Sequence, residues 1–180
     1  MTKSRLVTVS PFDILVDTQE KNPWKFTGIP GKAGQGRMLV KWHWYSMGTG
    51  NGDYSIKGAI NGDGTPRISL ERKSLSDLYG TILSNRDRFV RELEQLNCME
   101  YAAVIVEADL SDVMNFVPPW WKEKELSLDQ QLAKQRSVLG SFYAWQFRYP
   151  TIRWFFTPRK YAAVLAYRLL ERFYEERMAK

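Results

Sequence analysis

Two acidic residues and one lysine mark the part of the sequence that could act on a phosphate group. Asp53 follows a glycine-rich turn, and Glu71 and Lys73 alternate in a later apolar segment. The segments DYSIKGAI and PRISLERK flank NGDGT, which predicts a β-hairpin because glycine readily adopts the positive φ of tight turns. If Ile60 pairs with Pro66, Asp53 lies opposite Lys73 and one pleat from Glu71. The three side chains are then expected to converge at one end of the hairpin.

The two strands of this hairpin agree on which face is apolar. In the register above, one face carries Tyr54, Ile56, Ile60, Ile68 and Leu70. The other face carries Asp53, Ser55, Lys57, Arg67, Ser69, Glu71 and Lys73. A slip of one residue would set the apolar side chains of one strand against the polar side chains of the other. The pattern therefore favours this register and predicts that the polar face meets solvent.

Two carboxylates and a lysine in this arrangement suit metal-assisted hydrolysis of a phosphodiester. Mg²⁺ is commonly held by one or two carboxylates together with waters and substrate phosphate oxygens. A metal there neutralises charge on the phosphate and acidifies a water, which a nearby lysine can orient. The chain has one cysteine and one histidine, too few for a zinc site. Any metal is therefore expected to be Mg²⁺ or Mn²⁺, bound by oxygen.

Three motifs in order resemble those of a known nuclease family. They are VDTQEK (16–21), GDY (52–54) and ERKSLSD (71–77). XPF-type structure-specific nucleases are similar, with V-D-x-R-E, then G-D-Y, then E-R-K-x-x-x-D. The resemblance covers roughly residues 13–107 with specific motifs and the remaining elements more loosely. It implies a restriction-endonuclease-like α/β fold and a DNA endonuclease activity that depends on Mg²⁺ or Mn²⁺.

The resemblance also implies roles for individual residues. Asp53 and Glu71 would be metal ligands, and Lys73 would position the attacking water. Asp17 and Glu20 would lie beside the metal at the end of the first strand, with Asp17 as a further ligand. These five residues form the expected catalytic set.

Other positions of the same signature are expected to contact DNA or support the site. Arg72, Arg86, Arg88 and Gln19 are the candidate DNA contacts, although Arg86 and Arg88 compete for one family position and could equally be a solvated helix face. Asp77 is a supporting residue, and S-x-x-D at 74–77 is also a capping box before a helix. Gln19 stands where the family has arginine, which puts its phosphate contact in doubt, although glutamine can still donate hydrogen bonds.

The order of strand and helix patterns predicts a mixed central sheet flanked by helices. Apolar runs indicate strands at 12–17, 38–46, 101–108 and 151–156, besides the hairpin. The strand at 38–46 is expected to lie antiparallel beside the hairpin. Helical periodicity covers 74–96 with a bend near 84–85, and then 111–117, 128–146 and 158–178, with Thr157 as an N-cap and a loop at PPWW. The chain is an α/β domain on this pattern.

Composition sets the broad class and the partner. The 180 residues are 44% hydrophobic and 26% charged, which is typical of one globular domain. No apolar stretch is long enough to span a membrane and no signal peptide is apparent, so we expect an intracellular, cytoplasmic protein. Residues 122–180 hold 12 Lys and Arg against 6 Asp and Glu, and hence the whole excess of positive charge. This basic third is expected to attract DNA.

The sequence leaves several readings of the function open. We expect a single nuclease domain over 1–180 without a helix-hairpin-helix module, acting on branched, flap or junction-containing DNA in repair, recombination or phage DNA processing. A homodimer or a partner nuclease subunit is compatible with this reading. The alternatives are a non-catalytic DNA-binding scaffold and a sequence-specific restriction-type enzyme. Individually, Asp53 could begin a strand, and Glu71 and Lys73 could be a surface pair.

Overall fold

A mixed β-sheet with helices on both faces forms the structure, a computed structural model that describes residues 7–32 and 36–179. Within these residues the strands are β1 (Val7–Val9), β2 (Ile14–Asp17), β3 (Arg37–Leu39), β4 (Trp42–Tyr45), β5 (Tyr54–Ile56), β6 (Ile68–Lys73), β7 (Tyr101–Val106) and β8 (Ile152–Phe156). The helices are α1 (Leu75–Ser84), α2 (Arg86–Leu96), α3 (Leu110–Asn115), α4 (Pro119–Glu123), α5 (Leu128–Arg148) and α6 (Arg159–Arg177). None of the described helices is long and apolar enough to cross a membrane.

Six strands form one sheet in the order β4-β2-β5-β6-β7-β8. The pairs β4–β2, β6–β7 and β7–β8 are parallel, whereas β2–β5 and β5–β6 are antiparallel. Strands β1 and β3 pair in parallel as a separate two-stranded sheet. This architecture confirms the expected α/β class with a mixed central sheet.

Alternate residues of β7 supply two separate cores, because successive side chains of a strand point to opposite faces. Ala103 and Ile105 pack with α6, whose buried residues include Tyr167 and Leu170. Ala102, Val104 and Val106 pack with side chains of α1, α2 and α5. A strand covered on both faces must be apolar throughout, which explains the continuous YAAVIV run.

The predicted strand at 38–46 is wrong in two respects. It is divided into β3 and β4, and β4 lies parallel to β2 rather than antiparallel beside the hairpin. Strand β2 takes the place next to β5. A glycine-rich turn after β4 favours an antiparallel return, but β2 is buried at every residue and takes a partner strand on each side.

The register of the hairpin is predicted correctly near its turn but not at the site. Ile60 bridges Pro66 as expected, yet Tyr54 pairs with Leu70. Between these pairs the Ala59 N–H donates to the Ile56 carbonyl, and this local turn adds two residues to one strand. Because the register shifts by two residues, every side chain stays on its predicted face. Asp53, however, lies opposite a residue two positions before its predicted partner Lys73. It therefore lies beside Glu71 rather than Lys73.

The central part of this polar face is buried, contrary to expectation, whereas Lys57 is exposed. Ser55 and Ser69 have almost no exposed surface, and Glu71 has little. The Ser55 hydroxyl donates to the Ile68 carbonyl, and the Ser69 hydroxyl donates to the Asn51 carbonyl. Hydrogen bonds within the hairpin and its loop thus satisfy these groups, so that the polar face is compatible with burial.

The helix predictions are largely confirmed. The bend at 84–85 separates α1 from α2, and the Ser74 hydroxyl caps α1 by accepting from the Asp77 N–H. Two details are wrong: PPWW contributes to the short helix α4, in which Trp121 is buried, and Pro158 rather than Thr157 is the N-cap of α6.

Candidate active site

A polar cleft of about 410 Å³ opens where β2 and β6 end and α1 and α2 begin. The cleft is lined by the predicted site residues Asp17, Gln19, Glu20, Asp53, Glu71, Arg72, Lys73, Asp77 and Arg88. Among the predicted site residues only Arg86 is outside it. The fold therefore brings together three motifs that lie far apart in the sequence.

Steric constraints explain why the GDY motif begins with glycine. Gly52 has a φ of 76°, which a residue with a side chain rarely adopts. A Cβ on Gly52 would lie 2.2 Å from the Ser69 hydroxyl oxygen. The close approach lets the Asp53 N–H donate to the Leu70 carbonyl at 2.9 Å, and Oδ2 of Asp53 accepts from the Arg72 N–H at 2.7 Å. Backbone contacts thus fix the Asp53 carboxylate over β6.

Lys73 is held between two carboxylates. Its Nζ lies 2.6 Å from Oε1 of Glu71 and 3.8 Å from Oε2 of Glu92, a residue of α2. The same ammonium lies 4.7 Å from the centre of the Phe89 ring, a cation–π contact. Little of the Lys73 side chain is exposed. Its position is therefore set from three sides.

Burial and like charge act together on the acidic residues. Burial raises the pKa of Asp53 well above its ordinary value, and the neighbouring Glu71 carboxylate raises it further. Burial likewise raises the pKa of Glu71, although Lys73 opposes this effect. For Lys73, burial disfavours the charged form, but the carboxylates of Glu71, Glu92 and Asp53 outweigh it and raise the pKa above its ordinary value. A lysine in these surroundings remains an ammonium.

Asp17 and Glu20 shape the first-strand side of the cleft. Oδ1 of Asp17 accepts from the Gln19 N–H at 2.7 Å, and Oδ2 accepts from the Met47 N–H at 2.8 Å. Oε1 of Glu20 accepts from the Asn22 N–H at 2.6 Å and lies 3.3 Å from Arg72. Both carboxylates therefore order the loops on either side of them, and their predicted place beside a metal stays a prediction.

Arg72 is the centre of a buried ion-pair network. Its Nε and Nη2 donate to the two carboxylate oxygens of Glu107 at 2.9 and 2.8 Å, and Nη1 donates to Glu20. Glu107 also accepts from Trp24 Nε1 at 2.7 Å and from Arg159 at 2.7 Å. Arg72 also lines the cleft, so a phosphate there would compete with these carboxylates for its guanidinium. The predicted DNA contact of Arg72 remains untested, and its visible contacts are structural.

The structure separates the two competing arginines of α2. The Arg88 side chain is 70% exposed, pairs with Glu92 at 3.0 Å and lines the cleft. Arg86 instead donates to the Ser141 hydroxyl and packs over the Trp145 ring. Arg88 is thus the better placed of the two for a phosphate in the cleft.

Sequence reasoning missed Glu92 and Glu107. Glu92 lies three residues after the buried Phe89 and next to the buried Leu93, so the helical period already places it on the inner side of α2. Glu107 directly follows β7, and its N–H donates to the Lys73 carbonyl at 2.8 Å. Acidic residues that sit on an apolar helix face or end an apolar strand were the available signals.

The carboxylates of the cleft are oxygen donors of the kind that Mg²⁺ and Mn²⁺ prefer. Within residues 7–32 and 36–179, no group of three or more His, Cys, Asp or Glu is arranged to hold a metal ion. Asp53 and Glu71 together still offer two carboxylates, the number that Mg²⁺ commonly takes from a protein when phosphate and water complete its shell. Glu71 raises the pKa of Asp53, and a bound cation would relieve this repulsion between the two carboxylates. The residues therefore fit a metal that shares its ligands with a substrate.

The sheet and its flanking helices have the fold seen in solved structures of XPF. The structure of XPF from Aeropyrum pernix in complex with DNA is similar, with a TM-score of 0.54 and 21% identity over 94% of this chain and 68% of that one. A second structure of XPF from Aeropyrum pernix gives a TM-score of 0.56 and 19% identity over 91% and 68% of the two chains. No protein-family model matches this sequence, and no curated protein matches it either.

Proposed function

We propose that this domain is a divalent-metal-dependent endonuclease that hydrolyses phosphodiester bonds in DNA. The observation that carries the proposal is the convergence of Asp53, Glu71 and Lys73 in one polar cleft. Two neighbouring carboxylates with raised pKa values are unfavourable for folding at neutral pH. A protein that retains such a pair gains from a cation bound at the same place, and perturbed acids of this kind cluster at functional sites.

Each residue has a distinct part in the proposed reaction. Asp53 and Glu71 hold Mg²⁺ or Mn²⁺, which supplies charge neutralisation at the phosphate and a more acidic water. Lys73 orients the attacking water and stabilises negative charge on the phosphate. It does not act as the base, because its neighbouring carboxylates keep it protonated. Gly52 and the Arg72 backbone keep Asp53 in place.

Branched, flap or junction-containing DNA is the proposed substrate. The net charge of +6 favours a polyanion, and contacts to phosphates carry no sequence information. Arg88 at the cleft rim is a candidate phosphate contact. The similar XPF structure is a complex with DNA, which supports DNA as the partner and leaves the branched form to the experiment below.

Cleavage of labelled flap, fork, splayed-arm and intact duplex DNA tests the proposal. The reactions contain Mg²⁺, Mn²⁺ or EDTA, and the variants are Lys73→Ala and Glu71→Gln. Glu100→Gln is a matched control, because Glu100 is an exposed glutamate that pairs with Arg67 at the opposite end of β6. We expect metal-dependent cutting near the junction that both site variants abolish and the control retains.

The other outcomes separate the alternatives. Binding of DNA without cutting under every metal condition would refute the enzyme and favour a scaffold subunit. Cutting of intact duplex at a fixed sequence would favour a restriction-type enzyme. Equal cleavage activity of wild type and Lys73→Ala would refute the assignment of this cleft as the active site.

A further inference from the structure

One edge of the central sheet exposes a run of aromatic side chains. The outermost strand, β4, has the sequence WHWY, and all four residues are exposed. Trp42, Trp44 and Tyr45 are 38%, 50% and 41% exposed, and we call these three residues the aromatic edge. Exposed tryptophans on an edge strand are unfavourable for solubility unless they serve binding.

The C-terminal end of β4 adjoins the candidate cleft. Tyr45 pairs with Asp17 in the parallel register of β4 and β2, and the Thr18 N–H donates to the Tyr45 carbonyl. The loop that follows contributes Gly48 and Gly50 to the cleft lining. A DNA strand that leaves the cleft on this side therefore meets Tyr45 first. It reaches Trp42 and Trp44 by crossing the sheet edge, because their register places them on the opposite face from Asp17.

The two tryptophans are already arranged with respect to each other. Trp42 and Trp44 alternate on one face of β4, and their rings meet edge to face with centroids 5.3 Å apart. This contact restricts both side chains before any ligand arrives. Stacking on rings ordered in this way requires little further loss of side-chain entropy.

The charges around this strand favour a polyanion over a second protein. Lys41 precedes β4 and is exposed, as is Lys57 on the other side of the neighbouring strand. The acidic group between them, Asp13, is already engaged by His43 at 2.8 Å and by Lys57 at 4.0 Å. Lysines beside an edge strand oppose the addition of another strand. They also attract phosphates, and aromatic rings among positive charges are the usual platform for unpaired bases.

We propose that the aromatic edge binds unpaired DNA bases by stacking, beside the candidate active site. The choice of DNA rests on the proposed function. On this proposal the single-stranded arm of a branched substrate runs along β4 while the phosphate to be cut lies in the cleft. The edge thus selects substrates with an unpaired strand, since bases inside a duplex are already stacked on each other.

Binding in EDTA tests this proposal without any cleavage. We would measure the fluorescence anisotropy of a labelled oligothymidylate and of a duplex of equal length. The key variant is Trp42→Leu/Trp44→Leu, which keeps apolar bulk but removes the ring faces, and Trp42→Phe/Trp44→Phe restores them. Phe147→Leu is the matched control, because this exposed aromatic lies on α5, which packs near β8 at the other edge of the sheet.

We expect the leucine variant to bind the oligothymidylate at least about fivefold more weakly, the lower bound for losing one stacked base. The phenylalanine variant and Phe147→Leu should bind within about twofold of wild type, and affinity for duplex should be unchanged in all. Trp44→Leu alone provides the same comparison if the double variant fails to fold, because half of the Trp44 side chain is exposed.

Three results would overturn the proposal. They are unchanged affinity of the leucine variant for single strands, equal losses on single strands and duplex, and equal losses in the leucine and phenylalanine variants. A change of oligomeric state by sedimentation, with single-strand affinity intact, would assign the edge to contacts between protein copies instead. If tryptophan-dependent binding is found but no DNA is ever cut, only the proposed function fails.

Discussion

Replacement of Arg72 by leucine tests whether this residue of the ERK motif supports the fold or contacts DNA. The Arg72 side chain is 7% exposed and contributes hydrogen bonds to Glu107 and Glu20. Arg159 binds the same Glu107 carboxylate, but its side chain is 53% exposed. The chain thus contains a buried and an exposed arginine on one acidic partner, which makes Arg159→Ala a matched control.

The expected magnitudes follow from this difference in burial. Removing one partner of a buried ion pair leaves an uncompensated charge and costs about 3–5 kcal/mol of folding stability. Glu107 would retain Trp24 Nε1 and Arg159, so we expect Arg72→Leu to fall near the lower end, about 3 kcal/mol. An exposed ion pair contributes at most about 1 kcal/mol, which is the expected limit for Arg159→Ala.

Urea denaturation at several pH values measures both effects. Burial opposes ionisation of Glu107, but the Arg72 hydrogen bond and Trp24 outweigh it and hold the pKa of Glu107 below its ordinary value. This stability is present above the ordinary carboxyl pKa and is lost as the pH falls through the lowered one. Without Arg72, the effect of burial on the pKa of Glu107 is no longer outweighed. Protonation of Glu107 at lower pH then removes the uncompensated buried charge. The difference in the free energy of unfolding between wild type and Arg72→Leu should therefore become smaller as the pH falls from 7 towards 4.

The reasoning is refuted if Arg72→Leu is no less stable than Arg159→Ala at pH 7. If this difference in unfolding free energy becomes larger at low pH, the role assigned to Glu107 is contradicted. If Arg72→Lys keeps full stability but binds DNA more weakly, Arg72 is a phosphate contact, as its motif suggests.

Three further substitutions address the site itself. Because its pKa is raised in the folded protein, Asp53→Asn should raise the free energy of unfolding at pH 7 while abolishing cleavage. That gain should shrink as the pH falls towards the ordinary carboxyl pKa of about 4, and a destabilised variant at pH 7 would contradict it. Gly52→Ala should be less stable than Gly64→Ala by urea denaturation: both have positive φ and an alanine costs about 1–2 kcal/mol there, but only Gly52 lacks space for a Cβ. Equal losses of stability in the two alanine variants would contradict the steric explanation for Gly52. Glu92→Gln takes one of two carboxylates from Lys73 and should lower kcat about tenfold with KM unchanged, whereas an effect confined to KM would place Glu92 in substrate binding.

Local patterns in the sequence determined much of the fold. Apolar runs located β2, β7 and β8, and helical periodicity located α1, α2, α5 and α6, because these signals reflect which side chains must be buried. The bend at 84–85 and the Ser74 cap were visible for the same reason, since turn and cap residues act on their near neighbours. Spacing also placed Asp53 and Glu71 on one face, although the local turn at Lys57 and Gly58 changed their register.

Long-range contacts were decided by the tertiary structure alone. That β2 separates β4 from β5, and that Arg72 pairs with Glu107 and Glu20, depends on residues far away along the chain. The same is true of Glu92, which reaches Lys73 only because α2 packs over the end of β6. A sequence records the types and local spacing of its charged groups. Which of them share a buried space, and so change each other's pKa, is fixed only when the sheet and its helices have packed.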